Sequence, residues 1–479
     1  MSNHPQLESL IQSMSGAEKR YFKLNALKNN SKGSSRYLAL FEAVSKGKDL
    51  AKSPGENRSV TTAYLYDSIL QNLDGFHEKG SINSRIDRLI RNATVLYERG
   101  LNEQSLKLFL KAEAVAWQQQ EYVRCQTIYW YMRNLLAINT ESHESALSMA
   151  QVLERNLTSA KEIELMARLR FVQHGFHSAI AEAGSITPSA TKTLTELVDS
   201  QAMHDVNDHS GFFSQITANH ILGQFAAVTN NPSAGLLHGK KVFDLCFSHR
   251  PLLQEKGRLM MASANNYMMR CIRAKDFTEM KRVLDILELE KSKVVSAEMI
   301  RLETYYCNML SYLILSKQFD SDEILGKVES DLAEFGGKMN QAFVMYIYEL
   351  SSQFAFFKKD YRTALRWINQ FLNNDNRTAF SKNLSVAFDY RLLIYYEQGK
   401  LDLLEAEINF KESNVKNLYP ELRNAIRTFL KKELSDGGGQ KQNLLEFQKS
   451  IEALMSNDLE PEGREFFPWQ EWVSTRLKK

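Results

Sequence analysis

Five stretches of this chain repeat one arrangement: an apolar helical pattern, a turn residue, then packing residues at fixed offsets beyond it. The turns fall at Gly100, Lys275, Lys317, Lys359 and Gly399. After Lys359 come Tyr361, Ala364, Ile368 and Phe371, and after Lys275 come Phe277, Met280, Leu284 and Leu287. Gly100 is followed by Ser105, Phe109 and Ala112, Gly399 by Leu401, Leu404 and Ile408, and Lys317 by Phe319. Ala364, Ile368 and Phe371 stand at i, i+4 and i+7, which is one face of a helix. Before the same turn, Tyr348, Ser352 and Ala355 form a matching face on the preceding helix. Small side chains at Ser352 and Ala364 let two antiparallel helices approach closely, and the aromatics fill the space between successive pairs. Weaker versions of the pattern lie near Thr140, Gly184, Asn230 and Gly438, giving steps of about 40 to 45 residues, within the range of helical repeat arrays. Such an array needs uninterrupted helices, and 8 prolines and 22 glycines in 479 residues leave room for them. The expected class is all-α.

The recurring hairpin resembles the tetratricopeptide (TPR) family over residues 81–455. The resemblance rests on the turn, small-residue and large-residue offsets. A strict period of about 34 residues and the full Trp, Leu-Gly, Tyr, Ala, Phe, Ala, Pro signature are both missing, which implies helices a turn or so longer than the consensus repeat. The resemblance implies a right-handed α-solenoid of TPR-like hairpins, with the first helix of each pair lining a concave surface that binds an extended peptide or a partner's helix. In the family, residues ten and six places before the turn face that surface. Carried onto this chain they are His220 and Gln224, Asn265 and Met269, Cys307 and Ser311, and Glu349 and Gln353. Asn266 and Asn308, nine places before their turns, occupy matching positions in successive repeats. Asparagine there either hydrogen-bonds the backbone of a bound peptide or bridges neighbouring helices. Residues 456–479 are expected to cap the array, with Phe466, Phe467, Trp469 and Trp472 covering the last repeat.

Residues 1–80 differ. Ser15 and Glu18 form the S-x-x-E arrangement of a capping box, so a helix is expected to begin near Gly16 with Tyr21, Leu24 and Leu27 on one face. A second helix is expected over 35–46, with Tyr37, Leu40, Phe41 and Val44 inward, and a third from Ser59 to about Lys79. Pro54-Gly55 marks an exposed loop between them. Between Lys19 and Arg58 stand ten Lys or Arg against Glu42, Asp49 and Glu56. Three short helices with this charge fit a helix-turn-helix, with the 58–66 segment in a major groove and Lys19, Arg20, Lys23, Lys28 and Arg58 as nucleic-acid contacts. They equally fit a helical cap whose lysines are solvated. The blocks "EKRYFKL", "YLALFEAV" and "TAYLYDSILQNL" resemble the N-terminus of a group of uncharacterised bacterial helical-repeat proteins, a likeness that implies no activity.

The formal charge of +3 over the whole chain does not call for a nucleic acid or anionic membrane as partner. Cys125, Cys246, Cys271 and Cys307 lie far apart with no CxxC pair, and are expected to be reduced and buried. The opening "MSNHPQLESL" lacks the basic and apolar regions of a signal peptide, and no apolar run approaches the ~20 residues of a membrane helix, so a cytoplasmic protein is expected. "GLLHGKK" at Gly235 is one residue short of a P-loop, and HExxH, GxSxG and GxGxxG motifs are absent. Seven of ten histidines fall between His174 and His249, among them His204 and His209, without a cysteine or carboxylate set that would complete a metal site. In the neighbours Tyr129-Trp130-Tyr131, Tyr305-Tyr306 and Tyr395-Tyr396, directions about 100° apart let one ring pack inside while the next faces the groove. The sequence therefore points to a non-enzymatic scaffold or adaptor without metal or cofactor, binding a protein or peptide in its groove. The alternative is a DNA-associated regulator built on the basic N-terminal module with a TPR-like sensor array.

Overall fold

The structure is a computed structural model that describes residues 4–28, 34–46, 58–77, 81–138, 148–183, 188–253, 256–292, 294–321, 323–374, 381–408, 419–435, 441–456 and 466–478. Among the described residues every regular element is helical. The weaker turns near Thr140, Gly184 and Gly438 and the Pro54-Gly55 loop lie outside these residues, and so do the side chains of Lys28 and Arg58. No described helix is long and apolar enough to cross a membrane. The chain divides into two units, Met1–Gly175 with Ser200–Gln215 and Phe176–Asp199 with Ile216–Lys479.

In the first unit, α1 (His4–Ser13), α2 (Gly16–Lys28), α3 (Ser34–Ser45) and α4 (Arg58–His77) close around Leu7, Ile11, Phe22, Phe41, Leu65 and Ile69. The capping box starts α2: the Glu18 amide donates to Ser15 Oγ at 3.3 Å and the Ser15 amide to the Glu18 carboxylate at 2.6 Å. Four helices stand where three were expected, since Leu7, Ile11 and Met14 at i, i+4 and i+7 give α1 its own buried face. α2, packed on α3 and α4, presents a different face from the one expected. Phe22 is buried and Leu24 is 54% exposed, while Tyr21 meets the edge of Phe76.

The same unit continues with α5 (Ile82–Glu98), α6 (Asn102–Gln118) and α7 (Tyr122–Ile138), each packed on the next around Ala93, Phe109, Ala112, Ile128 and Met132. Glu113, buried in α6, accepts hydrogen bonds from Tyr129 Oη at 2.8 Å and Arg155 at 2.6 Å. Arg155 belongs to α8 (Met149–Ala183), whose residues from Phe176 belong to the second unit, as does α9 (Pro188–Val198); the single turn α10 (Gln201–His204) belongs to the first.

The second unit is a succession of helix pairs: α11 (Phe212–Val228) and α12 (Pro232–Ser248), α13 (Gly257–Ala274) and α14 (Phe277–Leu289), α15 (Val295–Leu315) and α16 (Glu323–Phe335). Then come α17 (Gln341–Phe357) and α18 (Tyr361–Leu372), α19 (Ser381–Glu397) and α20 (Leu401–Ile408), α21 (Pro420–Ser435) and α22 (Lys441–Ser456), and finally α23 (Trp469–Leu477). First helices also touch first helices: α13 packs on α15, α15 on α17, and α19 on α21. The last of these contacts is clamped by Asp389, fully buried, with Arg423 Nε at 2.5 Å and Arg427 Nε at 2.6 Å.

One turn geometry joins many of these helices. Gly100, Gln120, Asn230, Lys275, Lys317, Lys359 and Gly399 have φ between +51° and +74°. At Lys359 the residue's own amide donates to the Phe356 carbonyl, and the next amide, Asp360, reaches back to the Ala355 carbonyl, both at 2.9 Å. The other six repeat this pair of bonds, the Schellman ending in which a left-handed residue satisfies the last carbonyls of a helix. All five turns read from the sequence have this form, as has the weaker one at Asn230; Gln120 was not foreseen. Asp276 and Asp360 then start the following helices by accepting from the amides of Glu279 and Thr363.

The residues at the fixed offsets are core. Ser105, Phe109, Ala112, Met280, Leu284, Leu287, Ala364, Ile368 and Leu404 are fully buried. Leu401 departs from the pattern at 41% exposed. The aromatic neighbours depart from it too. Tyr129 is buried with Trp130 exposed, as expected, but Tyr305, Tyr306, Tyr395 and Tyr396 are all buried. The reason is that α15 is enclosed on every side from Arg301 to Ile314, and α19 from Leu392 to Tyr396; α17 is likewise enclosed from Glu349 to Phe356.

Candidate functional site

Eight of the ten residues assigned by register to a binding surface fall into two groups. Asn308, Ser311, Glu349 and Gln353, on the enclosed helices α15 and α17, are all at least nine-tenths buried. Asn308 Nδ2 donates to Asn265 Oδ1 and to the Thr304 carbonyl, both at 2.8 Å, so it bridges α13 and α15. Ser311 Oγ donates to the Cys307 carbonyl. Gln353 Nε2 donates to the Glu349 carboxylate at 3.3 Å and to the Phe466 carbonyl at 2.5 Å.

That last bond shows what covers α17. The Phe467 ring stacks on Phe357 at 5.3 Å and meets Phe356 edge-on and Tyr390 of α19. Trp472 packs against Phe429 and Phe447 of the final pair and donates its indole N–H to Glu397 at 2.7 Å. Arg476 donates to Tyr396 Oη, and Glu471 pairs with Lys317 at 2.7 Å. Phe466, Phe467, Trp469 and Trp472 thus cover α17 and α19 as well as the last pair, a wider footprint than a terminal cap on one repeat.

The remaining four lie on α11 and α13. His220, Gln224 and Asn265 are half-buried, whereas Asn266 and its neighbour Met269 are exposed. Gln224 Nε2 lies 3.3 Å from His177 Nε2 of α8, while its Oε1, an acceptor, is buried with no hydrogen-bond partner. Arg270, also on α13, is half-buried. Its stem crosses α12 over two glycines: a Cβ at Gly239 would come within 3.2 Å of Arg270 Cγ, and one at Gly235 within 3.5 Å of its Cδ. The glycines of "GLLHGKK" therefore serve this side chain and not a phosphate loop. Arg270 has neither a hydrogen bond nor an ion pair among the described residues. Burial, then repulsion from Arg273, holds its pKa below the ordinary range. His220 is likewise pushed down by burial first and then by Arg270 and His177. Sequence reading passed over Arg270, although it stands at i+4 from Asn266 and so shares the face assigned to the groove.

Other chemistry has less to stand on. Among the described residues no group of three or more His, Cys, Asp or Glu could hold a metal ion. The four cysteines are free and buried, and burial raises the thiols of Cys125 to about 12 and Cys246 to about 11, far from a reactive thiolate. Of the basic residues in the N-terminal module, Lys23 pairs with Glu42 at 3.1 Å, Lys19 is half-buried and Arg20 exposed. In α4, Thr62 and Leu65 face the core, and the exposed side carries Tyr64, Asp67 and Leu70 with no Lys or Arg after Arg58. No family model matches the chain, and no curated protein or solved structure matches it.

Proposed function

We propose that this chain is a non-enzymatic interaction protein of the cytoplasm, a right-handed TPR-like solenoid that holds a peptide or partner segment on the first-helix surface of α11 and α13. The observation that carries the reading is the contrast between successive first helices. Asn266 and Met269 are open to solvent on α13, while the corresponding positions on α15 and α17 are enclosed and partly satisfied by the chain's own Phe466. The recurrent left-handed turns and the first-helix to first-helix packing support the repeat-array reading. The test is affinity capture with nuclease present, comparing the native chain with the variant Asn266→Asp/Met269→Glu, whose altered side chains are both on the surface. Partners recovered by the native chain and lost by a variant that melts normally support the proposal; recovery of the same partners by both removes it.

The DNA-associated reading rests on the excess of cations between Lys19 and Arg58. A helix meant for a major groove is poorly served by the exposed Asp67 of α4. A steep fall of DNA affinity with salt, lost on Lys19→Glu/Arg20→Glu, would favour it over the first.

A further inference from the structure

Where the connection that leads into α13 meets the one that leads into α15, the second unit holds a cavity of about 490 Å³. That lies inside the range of about 300–1,000 Å³ in which proteins bind small molecules. Pro251 and Leu253 line it from a 3₁₀ turn, Arg250–Leu253, Met260 and Met261 from the start of α13, and Ala297 from the start of α15. The apolar part of the wall thus comes from two successive helix pairs, and its two methionines can adapt to the shape of a ligand. Gly257 also lines the cavity, and a Cβ built there meets no atom within 4 Å, so the α13 backbone borders open space at that point.

The charged part of the wall is unequal in sign. Arg250, Lys291 and Arg301 line the cavity against one acid, Glu290. Arg301 is fully engaged: Nε and one terminal nitrogen donate to the Glu298 carboxylate, and the other terminal nitrogen donates to the Leu287 carbonyl at 3.1 Å. Glu298 also accepts from the Ser292 amide at 2.7 Å. Glu290 is matched by Arg250 at 2.6 Å, a pair that ties the two connections together. Both acids are thereby neutralised, and the exposed Lys291 is left without a hydrogen bond or ion pair among the described residues. The connection that supplies Glu290, Lys291 and Ser292 also carries three exposed apolar side chains, Leu289 at 84%, Val294 and Val295. An apolar chamber, an apolar approach and one cation in excess stand together.

We infer that this cavity binds a small amphipathic anion, an aliphatic carboxylate, with its tail against Leu253, Met260, Met261 and Ala297 and its head at Lys291 beside Arg250. A single negative charge suits the wall, because Glu290 forms part of the lining and repels a doubly charged head. Burial of the tail supplies most of the affinity, and the partly exposed lysine supplies the choice of head group. A ligand held there touches the entrances of both α13 and α15, which pack on one another, so binding stabilises the joint between two helix pairs. The site is separate from Asn266 and Met269 and does not rest on the proposed function.

The test uses the full chain with octanoate, and octanol as the uncharged comparison. Binding is followed by the methyl resonances of Met260 and Met261 in NMR, assigned with Met260→Leu and Met261→Leu. Octanoate is expected to shift both resonances saturably and to raise the melting temperature as its concentration rises. Gly257→Leu fills the cavity from a position where no atom stands in the way; it should melt no lower than the native chain and bind octanoate about tenfold or more weakly. Lys291→Gln should weaken octanoate about fivefold and leave octanol unchanged. Octanoate that moves neither methionine, or that binds Gly257→Leu as tightly as the native chain, overturns the site. Octanol binding as tightly as octanoate, or octanoate binding undiminished in Lys291→Gln, overturns the assignment to an anion. Octyl phosphate bound in preference to octanoate overturns the assignment to a carboxylate.

Discussion

Ser105 in α6 donates its hydroxyl hydrogen to the Ala93 carbonyl of α5 at 2.8 Å, across the turn at Gly100. The turn at Lys359 has the mirror of this bond: Ser352 of α17 donates to the Ala364 carbonyl of α18 at 2.7 Å. The two pairs hold the same offsets from their turns, with the serine on opposite helices. At the Asn230 turn both places are glycines, Gly223 and Gly235. The requirement is closeness of two backbones, and the hydroxyl is one way to use it. Ala364→Leu is therefore expected to be far more damaging than Ser352→Ala: overpacking costs about 1–3 kcal/mol or more, against about 1 kcal/mol for the lost hydrogen bond. Thermal unfolding midpoints of the two variants decide it, and equal shifts would refute the account.

Lysine in the left-handed region carries strain of about 1–2 kcal/mol that glycine escapes. Lys359→Gly should raise the melting temperature slightly, or at least cost nothing, whereas Gly399→Val should lower it. A destabilised Lys359→Gly would mean that its aliphatic stem contributes packing that its φ of +66° conceals.

Asp389 is the counter-ion of two arginines in an enclosed site. Asp389→Asn should lower stability by about 3 kcal/mol, because two cations are then left facing one another without an anion. A second change, Arg427→Gln, should restore part of the loss, and a double-mutant cycle measures how much.

His220 and His238 both have pKa values pressed below the ordinary 6.5, His220 by burial and then Arg270 and His177, and His238 by burial and then Lys241. Between each folded value and 6.5 the unfolded chain binds more protons, so stability is full above 6.5 and is lost as pH falls through the folded values. Urea melts from pH 7.5 down to 5 should show the midpoint falling, and His220→Asn/His238→Gln should flatten the curve. An unchanged slope in the double variant would place the titrating groups elsewhere.

Removing residues 466–479 uncovers Phe356, Phe357, Tyr390 and Phe429 at once. The truncated chain should bind a hydrophobic dye and melt well below the native one, and a synthetic peptide of residues 465–479 should bind it in trans. Trp472→Ala in that peptide should weaken binding strongly, since it loses a buried ring and the indole hydrogen bond to Glu397. Fluorescence anisotropy of the labelled peptide gives the comparison directly.

The turns were legible because a left-handed ending leaves a signature on both sides: an apolar face that stops, then a small or acidic residue that starts the next helix. Lys275 and Lys359 show that the residue in the turn need not be glycine if its neighbours carry the pattern. Gln120 was passed over because the α6–α7 turn comes only twenty residues after Gly100, inside what reads as one repeat step. The face of α2 is not legible locally because Leu24 and Phe22 are both apolar, and the choice between them is made by packing on α3 and α4, where Phe22 meets Phe41. The proposed binding surface was half legible. Its register positions could be counted from the turns, but nothing local to Glu349 or Gln353 announces that residue 466, more than a hundred places on, will lie against them.

That distance has a consequence for synthesis. α17 and α19 can form soon after leaving the ribosome, yet the ring faces of Phe356, Phe357 and Tyr390 that meet Phe467 lack that partner until residues 466–477 have also emerged. At about 5–20 residues per second, the interval between Tyr390 and Phe467 is several seconds during which this surface is open to chaperones or to other nascent chains. Completion of the second unit is thus timed by translation, and slow codons in the stretch before Phe466 would prolong its exposure.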